Sequence, residues 1–327
     1  MTIQFYRWVI EVREIGGYFG LEQFIDNEYY KNLIALNTAR NALIYLMMAK
    51  NIKKLYIPYY LGSSISEVLK KYHYDFEYYY IDTGFCPRLK KNLNKAEYIY
   101  IVNYYGQLTN EKIISLKKRY KNIIIDNTQS FFQNPIDGID TIYSCRKFFG
   151  VPDGAYLSTS ATLNEDLQTD ISKHRVAHLL GRFEGIASDY YNTFKKNETS
   201  FRNEPLKRMS NLTKNILGAI DYKGVKKVRS KNYVYLHKKL RNINKLKLII
   251  PEGPFSYPLY RENGLEIREM LIEKKIYIPI LWPNVLKDVP KSSLEYQYTS
   301  NILPLPCDQR YGINDMQYII EEVNNIV

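Results

Sequence analysis

Two charged residues in this 327-residue chain each follow a short apolar run. Asp126 comes directly after the apolar run Ile123–Ile125. Lys147 ends the segment Ser144–Lys147, which follows the short strand predicted at Thr141–Tyr143. A carboxylate after one strand and a lysine after a later strand are the arrangement of a pyridoxal phosphate site. The carboxylate keeps the pyridine nitrogen protonated, and the lysine forms the Schiff base and moves protons at the α carbon. A strand-ending aspartate at a turn and an ordinary surface lysine fit the same spacing, so the spacing alone leaves both interpretations open.

Alternating apolar runs and amphipathic segments predict the elements that would position these residues. We expect helices at Thr38–Lys50, Ser63–Lys71 and Glu111–Tyr120, and strands at Lys54–Ile57, Phe76–Ile81, Tyr98–Val102, Ile123–Ile125, Thr141–Tyr143 and Ala155–Leu157. This alternation predicts an α/β fold with a mostly parallel sheet and helices on both faces. In such sheets ligands bind beyond the carboxyl ends of the strands, which is where Asp126 and Lys147 stand.

The second part of the chain has a different pattern. Residues 164–202 are polar and predicted to be helical. We then expect a long basic helix at Val225–Leu240, a helix at Gly264–Lys274, a final helix, and strands at Lys247–Ile250, Ser256–Tyr260 and Ile276–Ile280. This pattern predicts a large domain over residues 1–205 and a small α+β domain over residues 206–327.

Composition narrows the functional class. The net charge of +12 fits an acidic partner such as a phosphorylated substrate or a nucleic acid, or simply solvated surface lysine. Three widely spaced cysteines are typical of a reduced cytoplasmic protein. The sequence contains no apolar run of membrane-spanning length, no secretory signal pattern, no phosphate-binding glycine motif and no metal-ligand motif. We therefore expect a cytoplasmic protein without a metal site.

Taken together, these motifs resemble the DegT/DnrJ/StrS family of sugar aminotransferases. The family's D-x-x-Q pattern appears as Asp126 and Gln129, and its serine, lysine and glycines appear as Ser144, Lys147, Gly150 and Gly154. Further similar segments are Gly16–Phe19, Asn37–Leu43, Ile57–Tyr60, Arg208–Ser210 and Leu303–Pro306. The resemblance covers nearly the whole chain. It implies an aspartate-aminotransferase-like fold and a homodimer.

The resemblance also implies an activity and a set of roles. The activity is transfer of an amino group from glutamate to a nucleotide-linked keto-sugar by a pyridoxal phosphate enzyme of surface polysaccharide synthesis. Lys147 would be catalytic. Because some relatives that carry out dehydration have histidine at this position, the lysine favours transamination. The implied cofactor-binding residues are Asp126, Gln129, Ser144, Thr38, Ala39 and Tyr60, with Tyr59 as the alternative to Tyr60 for stacking on the ring. The implied substrate-binding residues are Tyr18, Tyr104 and Arg146. No nucleic acid or membrane partner is expected.

Two departures from the family pattern leave an alternative open. Ser144 lies three residues before the lysine, whereas the family's serine lies five before it, and Leu206 stands where the family has an asparagine that contacts phosphate across a dimer. The alternative function is therefore a protein that keeps the fold and binds pyridoxal phosphate or a sugar nucleotide without turnover. A nucleic-acid-binding protein, suggested by the net charge, is the third hypothesis.

Overall fold

The computed structural model describes residues 17–326 of the chain. Within these residues it has nine strands and eleven α-helices, with short 3-10 turns at Tyr104–Gly106 and Lys173–Arg175. The strands are β1 (Ile34–Leu36), β2 (Lys54–Pro58), β3 (Asp75–Tyr79), β4 (Glu97–Val102), β5 (Ile123–Asp126), β6 (Asp140–Ser144), β7 (Ala155–Ser158), β8 (Tyr257–Tyr260) and β9 (Ile302–Leu305). The helices are α1 (Ala39–Ala49), α2 (Ser63–Lys71), α3 (Asn110–Tyr120), α4 (Ala177–Glu184), α5 (Tyr191–Ser200), α6 (Asn211–Gly218), α7 (Tyr222–Leu240), α8 (Gly264–Glu273), α9 (Val285–Asp288), α10 (Leu294–Asn301) and α11 (Ile313–Ile326).

A mixed sheet has the strand order β1-β7-β6-β5-β4-β2-β3. The strands from β6 to β3 pair in parallel, whereas β7 pairs antiparallel with both β6 and β1. Because one reversed strand separates β1 from β6, these two strands run in the same direction. The carboxyl ends of β1, β6, β5, β4, β2 and β3 therefore lie along one edge of the sheet, which we call the carboxyl edge.

Burial on both faces of this sheet explains why its strands are continuous apolar runs in the sequence. Every residue of β5 is buried, and α1 is buried from Asn41 to Met47. A parallel sheet covered on both faces needs apolar side chains on both sides of each strand. Thr38 sets the start of α1, because its side chain accepts a hydrogen bond from the amide of Asn41 at 3.1 Å.

A second, smaller unit contains the antiparallel pair of β8 and β9. Its core starts at Tyr233 in α7 and includes Leu271 of α8 and Met316 of α11. Met209 and Tyr222 instead pack with aromatic residues from the large sheet. The predicted boundary at 205/206 stays a prediction, and the small core begins later, within α7.

Most predicted elements of the first half lie within two residues of the observed ones. The predicted strands Lys247–Ile250 and Ile276–Ile280 are wrong, because side chains take up backbone groups there. The amide of Ile249 donates to the side chain of Gln107 at 2.9 Å, and the carbonyl of Ile278 accepts from Arg268 at 2.6 Å. Strands β1 and β9 were not predicted. No helix within residues 17–326 is long and apolar enough to cross a bilayer.

Candidate active site

Several predicted site residues leave the sheet at the carboxyl edge. Thr38 follows β1, Asp126 ends β5 and Ser144 ends β6. The segment after β4 is bonded to the same edge through its backbone, because the amide of Asn103 donates to the carbonyl of Asp126 at 3.0 Å. The fold therefore gathers onto one edge residues that are far apart in the sequence.

Asp126 is a buried carboxylate with two donors. The hydroxyl of Tyr100 donates to Oδ2 at 2.8 Å, and the amide of Thr128 donates to Oδ1 at 2.8 Å. Burial raises the pKa of Tyr100, so its hydroxyl keeps the proton that it donates. The two hydrogen bonds fix the plane of a carboxylate that is 5% exposed.

Lys147 lies in the connection after β6, and its Nζ donates to Oγ1 of Thr128 at 2.9 Å. Lys147 is exposed as a whole residue, but desolvation of the amine by the protein around it lowers its pKa from the ordinary value. The negative charge of Asp126 opposes this shift, and the positive charge of Arg146 adds to it. A lysine with a lowered pKa supplies more neutral amine, the form that attacks a carbonyl carbon.

Gln129 is buried, and its Oε1 accepts a hydrogen bond from the amide of Tyr105 at 2.8 Å. Tyr105 has a left-handed backbone, with φ of 55°, and the Gln129 side chain stabilises this turn after β4. Gln129 therefore links two loops of the carboxyl edge through its oxygen. Its predicted contact with a cofactor stays a prediction.

The start of α1 is suited to bind an anion. The first amides of a helix, here those of Ala39 and Arg40, have no acceptor within the helix, and they carry partial positive charge. Phosphate binds readily at such an end. Ser144 approaches from the same edge, because its partner Ala155 in β7 also pairs with Leu36 at the end of β1.

Arg146 lies beside this region in a positively charged environment. Its guanidinium pairs with Glu198 and lies 4.1 Å from the ring centroid of Phe201. Burial, together with the charges of Arg40 and Arg175, lowers the pKa of Arg146 to about 10, and the charge of Asp153 opposes this shift. An additional anion is therefore electrostatically favourable near Arg146.

The predicted aromatic residues are enclosed by protein. Tyr60 is 1% exposed, with ring centroids 4.9 Å from Tyr104 and 4.6 Å from Trp282. The hydroxyl of Tyr104 donates to the carbonyl of Tyr60 at 2.6 Å. The alternative residue, Tyr59, stacks on Tyr78 at 4.7 Å. Contact of Tyr60 or Tyr104 with a ligand therefore requires these neighbours to move.

Tyr18, predicted to bind substrate, is 98% exposed. It belongs to a segment near the N-terminus that is tied to α6 further along, where the amide of Phe24 donates to the side chain of Asn215 at 2.7 Å. The structure does not bring Tyr18 into the group around Lys147. Gly16, the first residue of that predicted motif, lies outside the described residues.

Comparisons with known proteins add to this geometry. No family model and no curated protein sequence matches the chain, but solved structures do. A DegT DnrJ EryC1 StrS aminotransferase from Brucella abortus has a TM-score of 0.60 and 14% identity, covering 90% of this chain and 85% of that chain. NtdA from Bacillus subtilis with bound cofactor PMP has a TM-score of 0.63 and 16% identity, covering 90% of this chain and 73% of that one.

A third similar structure is PseC from Helicobacter pylori, an aminotransferase involved in the biosynthesis of pseudoaminic acid. Its TM-score is 0.59 and its identity 15%, covering 89% of this chain and 85% of that one. The chain has the fold of these aminotransferases. The predicted aspartate-aminotransferase-like α/β fold is therefore confirmed.

Two residues of the site were missed by the sequence analysis. Thr128 contacts both Lys147 and Asp126, and its place two residues after Asp126 was a usable signal. The ring of Phe255 lies 5.9 Å from Nζ of Lys147. Nothing in the sequence pattern connects Phe255 with Lys147, because the contact exists only once the smaller unit folds against the large sheet.

Proposed function

We propose that this protein is a pyridoxal-phosphate-dependent aminotransferase that moves an amino group from glutamate to a nucleotide-linked keto-sugar. One observation carries the proposal. A buried carboxylate, Asp126, and a lysine of lowered pKa, Lys147, meet at Thr128 on the carboxyl edge of an aminotransferase fold. When bound, pyridoxal phosphate supplies a ring that withdraws electrons from the substrate's α carbon.

The residues of the carboxyl edge fit the three functional ends of this cofactor. Asp126 offers a carboxylate for a protonated ring nitrogen, and Lys147 offers an amine for an aldehyde carbon. The first amides of α1, with Thr38, Ala39 and Ser144, would hold the phosphate. This donor set supports the cofactor assignment on chemical grounds.

Each of these residues has a distinct task in the proposed reaction. Lys147 would hold the cofactor through Nζ, and once the amino donor has displaced it from the aldehyde carbon, its free amine would move a proton to and from the α carbon of that donor. Asp126 would keep the proton on the ring nitrogen, because an ionised carboxylate stabilises a neighbouring positive charge. Thr128 would hold Nζ of Lys147 in place for both the cofactor's aldehyde and the α carbon of the amino donor.

We extend the proposal to a phosphorylated sugar substrate. Arg40 and Arg146 make the surroundings of the α1 start positive, which favours a diphosphate-linked substrate. The similar structures include a sugar aminotransferase and an enzyme of pseudoaminic acid synthesis, which supports a sugar as the amino acceptor. A homodimer, a cytoplasmic location and a role in surface polysaccharide synthesis rest on the motif resemblance.

Covalent trapping tests the cofactor assignment. The purified protein is incubated with pyridoxal phosphate and reduced with borohydride, and its peptides are examined by mass spectrometry. We expect the modified residue to be Lys147, with no covalent adduct at that position in Lys147→Arg. The control variant Lys50→Arg changes a lysine that pairs with Asp140 at the opposite edge of the sheet, and it keeps the adduct. A stoichiometric adduct at a lysine other than Lys147 in the wild-type protein contradicts the assignment.

A half-reaction tests amino transfer separately. Protein loaded with pyridoxal phosphate is mixed with glutamate, and release of 2-oxoglutarate is measured before keto-sugar nucleotides are screened as acceptors. We expect one equivalent of 2-oxoglutarate for each loaded site. Cofactor trapped at Lys147 with no product from any amino donor supports the alternative function, a binding protein without turnover. Failure to take up cofactor contradicts the aminotransferase assignment and leaves, of the alternative, only a protein that binds a sugar nucleotide.

A further inference from the structure

A buried arginine of the smaller unit reaches the loop that carries Lys147. Arg229 of α7 is 2% exposed. Its Nη2 donates to the carbonyl of Phe148 at 3.2 Å, and its guanidinium lies 4.5 Å from the ring centroid of the same residue. Phe148 directly follows Lys147, so this hydrogen bond fixes the backbone next to the reactive amine.

A second side chain holds the same carbonyl. Nε2 of Gln309 donates to the Phe148 oxygen at 2.7 Å, and Oε1 of Gln309 accepts from Nε of Arg229 at 2.7 Å. Gln309 follows β9 and is separated from Arg229 by most of the smaller unit's sequence. Two parts of the smaller unit therefore converge on one peptide group of the lysine loop.

The same guanidinium also places an aromatic side chain near the amine. Nη1 of Arg229 donates to the carbonyls of Pro254 at 2.9 Å and of Phe255 at 3.4 Å. The Phe255 ring lies 5.9 Å from Nζ of Lys147 and packs against the Phe148 ring at 6.0 Å. One side chain thus holds both the backbone beside Lys147 and the ring that faces its amine.

The energetic cost of this arrangement argues for a specific use. Burial lowers the pKa of Arg229 to about 10, while the charge of Asp308 opposes that shift. The hydrogen-bond acceptors that the described structure gives this guanidinium are neutral, and a buried cation with neutral partners is costly. An apolar side chain would fill the same space, but only the planar fork of arginine reaches the Phe148 and Pro254 carbonyls together.

We propose that Arg229, with Gln309, is a positioning residue for Lys147 that transmits the position of the smaller unit to the reactive amine. Through the Phe148 carbonyl and Phe255 it keeps the amine beside Thr128 and the Phe255 ring. The inference rests on the proposed function for the chemistry of Lys147, but the positioning itself is measurable in protein without cofactor.

The test measures the reactivity of Lys147 in cofactor-free protein. Acetylation of each lysine by a brief pulse of acetic anhydride is followed by peptide mass spectrometry across a series of pH values. Arg229→Lys keeps the charge but loses the fork, and Gln309→Ala removes one donor to Phe148. The labelling midpoint is the pH at which Lys147 reaches half of its maximal acetylation. We expect both variants to raise this midpoint by about half a pH unit or more, because the amine on a looser loop is less desolvated.

The matched control is Tyr235→Phe, on the same helix. The hydroxyl of Tyr235 donates to Oε1 of Gln317 in α11 at 2.7 Å, and not to the lysine loop or to the segment that carries Gln309. We expect this variant to lower the melting temperature and leave the Lys147 midpoint unchanged. Midpoints in Arg229→Lys and Gln309→Ala equal to that of Tyr235→Phe would show that Arg229 is only structural. If Arg229→Lys does not fold, Gln309→Ala decides the question.

A second readout separates this inference from the proposed function. We expect covalent uptake of pyridoxal phosphate to slow several-fold in Arg229→Lys and to keep the wild-type rate in Tyr235→Phe. A wild-type protein that takes up no cofactor overturns the proposed function and leaves the labelling result standing. Normal labelling midpoints with normal uptake in the Arg229 and Gln309 variants overturn the positioning role.

Discussion

Nζ of Lys147 lies 2.9 Å from Oγ1 of Thr128, and the amide of Thr128 donates to the carboxylate of Asp126 at 2.8 Å. A single residue thus contacts both charged groups of the site. The threonine backbone fixes the carboxylate while its side chain holds the amine. The separation of the two charges therefore depends on Thr128 rather than on direct pairing.

Replacing Thr128 separates its side-chain role from its backbone role. Thr128→Val keeps the shape and the amide but removes the hydroxyl, so Lys147 loses its acceptor. We expect covalent uptake of pyridoxal phosphate to slow roughly fivefold, since an ordinary hydrogen bond contributes about 1 kcal/mol. Thr128→Ser keeps the hydroxyl and serves as the control with a near-normal rate. A Val variant as fast as the Ser variant contradicts this role.

The pH dependence of Lys147 follows from the charges around it. Desolvation of the amine by the surrounding protein lowers the pKa of Lys147, and Asp126 raises it because a negative charge stabilises the ammonium form. Asp126→Asn removes that charge, so the labelling midpoint should fall further below the ordinary value of 10.5. Removing the positive charge in Arg146→Met should move the midpoint in the opposite direction.

The control for Asp126→Asn is the same substitution at Asp140. Asp140 is buried at the start of β6, at the opposite edge of the sheet, where it pairs with Lys50 at 2.5 Å. Asp140→Asn should destabilise the protein without moving the Lys147 midpoint. Equal shifts in both variants would mean that the midpoint reports general loosening rather than the charge of Asp126.

Local patterns were enough to predict the elements that carry the site. The apolar run before Asp126 and the helical period after Thr38 depend on neighbours in the sequence, and both elements lie where they were expected. The strands predicted at Lys247–Ile250 and Ile276–Ile280 failed because apolar residues alone do not provide a pairing strand. The backbone of Ile249 instead meets Gln107, a contact between distant segments that no local pattern encodes.

The surroundings of the site were harder to predict for the same reason. The stacking of Tyr60 on a cofactor ring stays a prediction, and no pattern in the sequence indicated that Trp282, far along the chain, packs against Tyr60 and helps to bury it. Phe255 and Arg229 reach Lys147 or its neighbour only through the packing of the smaller unit on the large sheet. Sequence spacing therefore predicts which residues follow a strand, whereas it does not predict which distant side chains cover them.

The ion pair between Arg146 and Glu198 predicts that Glu198 competes with a bound anion for the guanidinium. Glu198 occupies the guanidinium, so Glu198→Gln should free Arg146 and tighten binding of inorganic phosphate severalfold. Arg146→Met should weaken it. Glu77→Gln, which breaks an exposed pair with Lys54 at the far end of β2, is the control and should leave binding unchanged. Phosphate affinity measured by calorimetry checks all three. Equal affinities in the Glu198 and Glu77 variants would contradict an anion site at Arg146.

We expect substitution of Asp170 to lower the stability of the fold strongly. It is 3% exposed, accepts two hydrogen bonds from Arg175 at 3.0 Å and one from Asn37 at 3.2 Å. Asp170→Asn leaves the buried guanidinium of Arg175 short of its main partner, and Glu204 at 3.4 Å replaces it only in part. We expect the free energy of unfolding to fall by about 3 kcal/mol. Asp26→Asn, at an exposed pair with Lys31, should cost less than about 1 kcal/mol.

The same aspartate gives a pH dependence of known sign. Burial alone would raise the pKa of Asp170, but the hydrogen bonds and charge of Arg175 bring it below 3.8. The unfolded chain therefore binds this proton at a higher pH than the folded one. The stabilising contribution is present above pH 3.8 and is lost as the pH falls through the folded-state pKa. Urea unfolding across this acidic range should show the wild-type advantage over Asp170→Asn shrinking as the pH falls. A constant difference at every pH would mean that Asp170 stabilises the fold by packing and not by its charge.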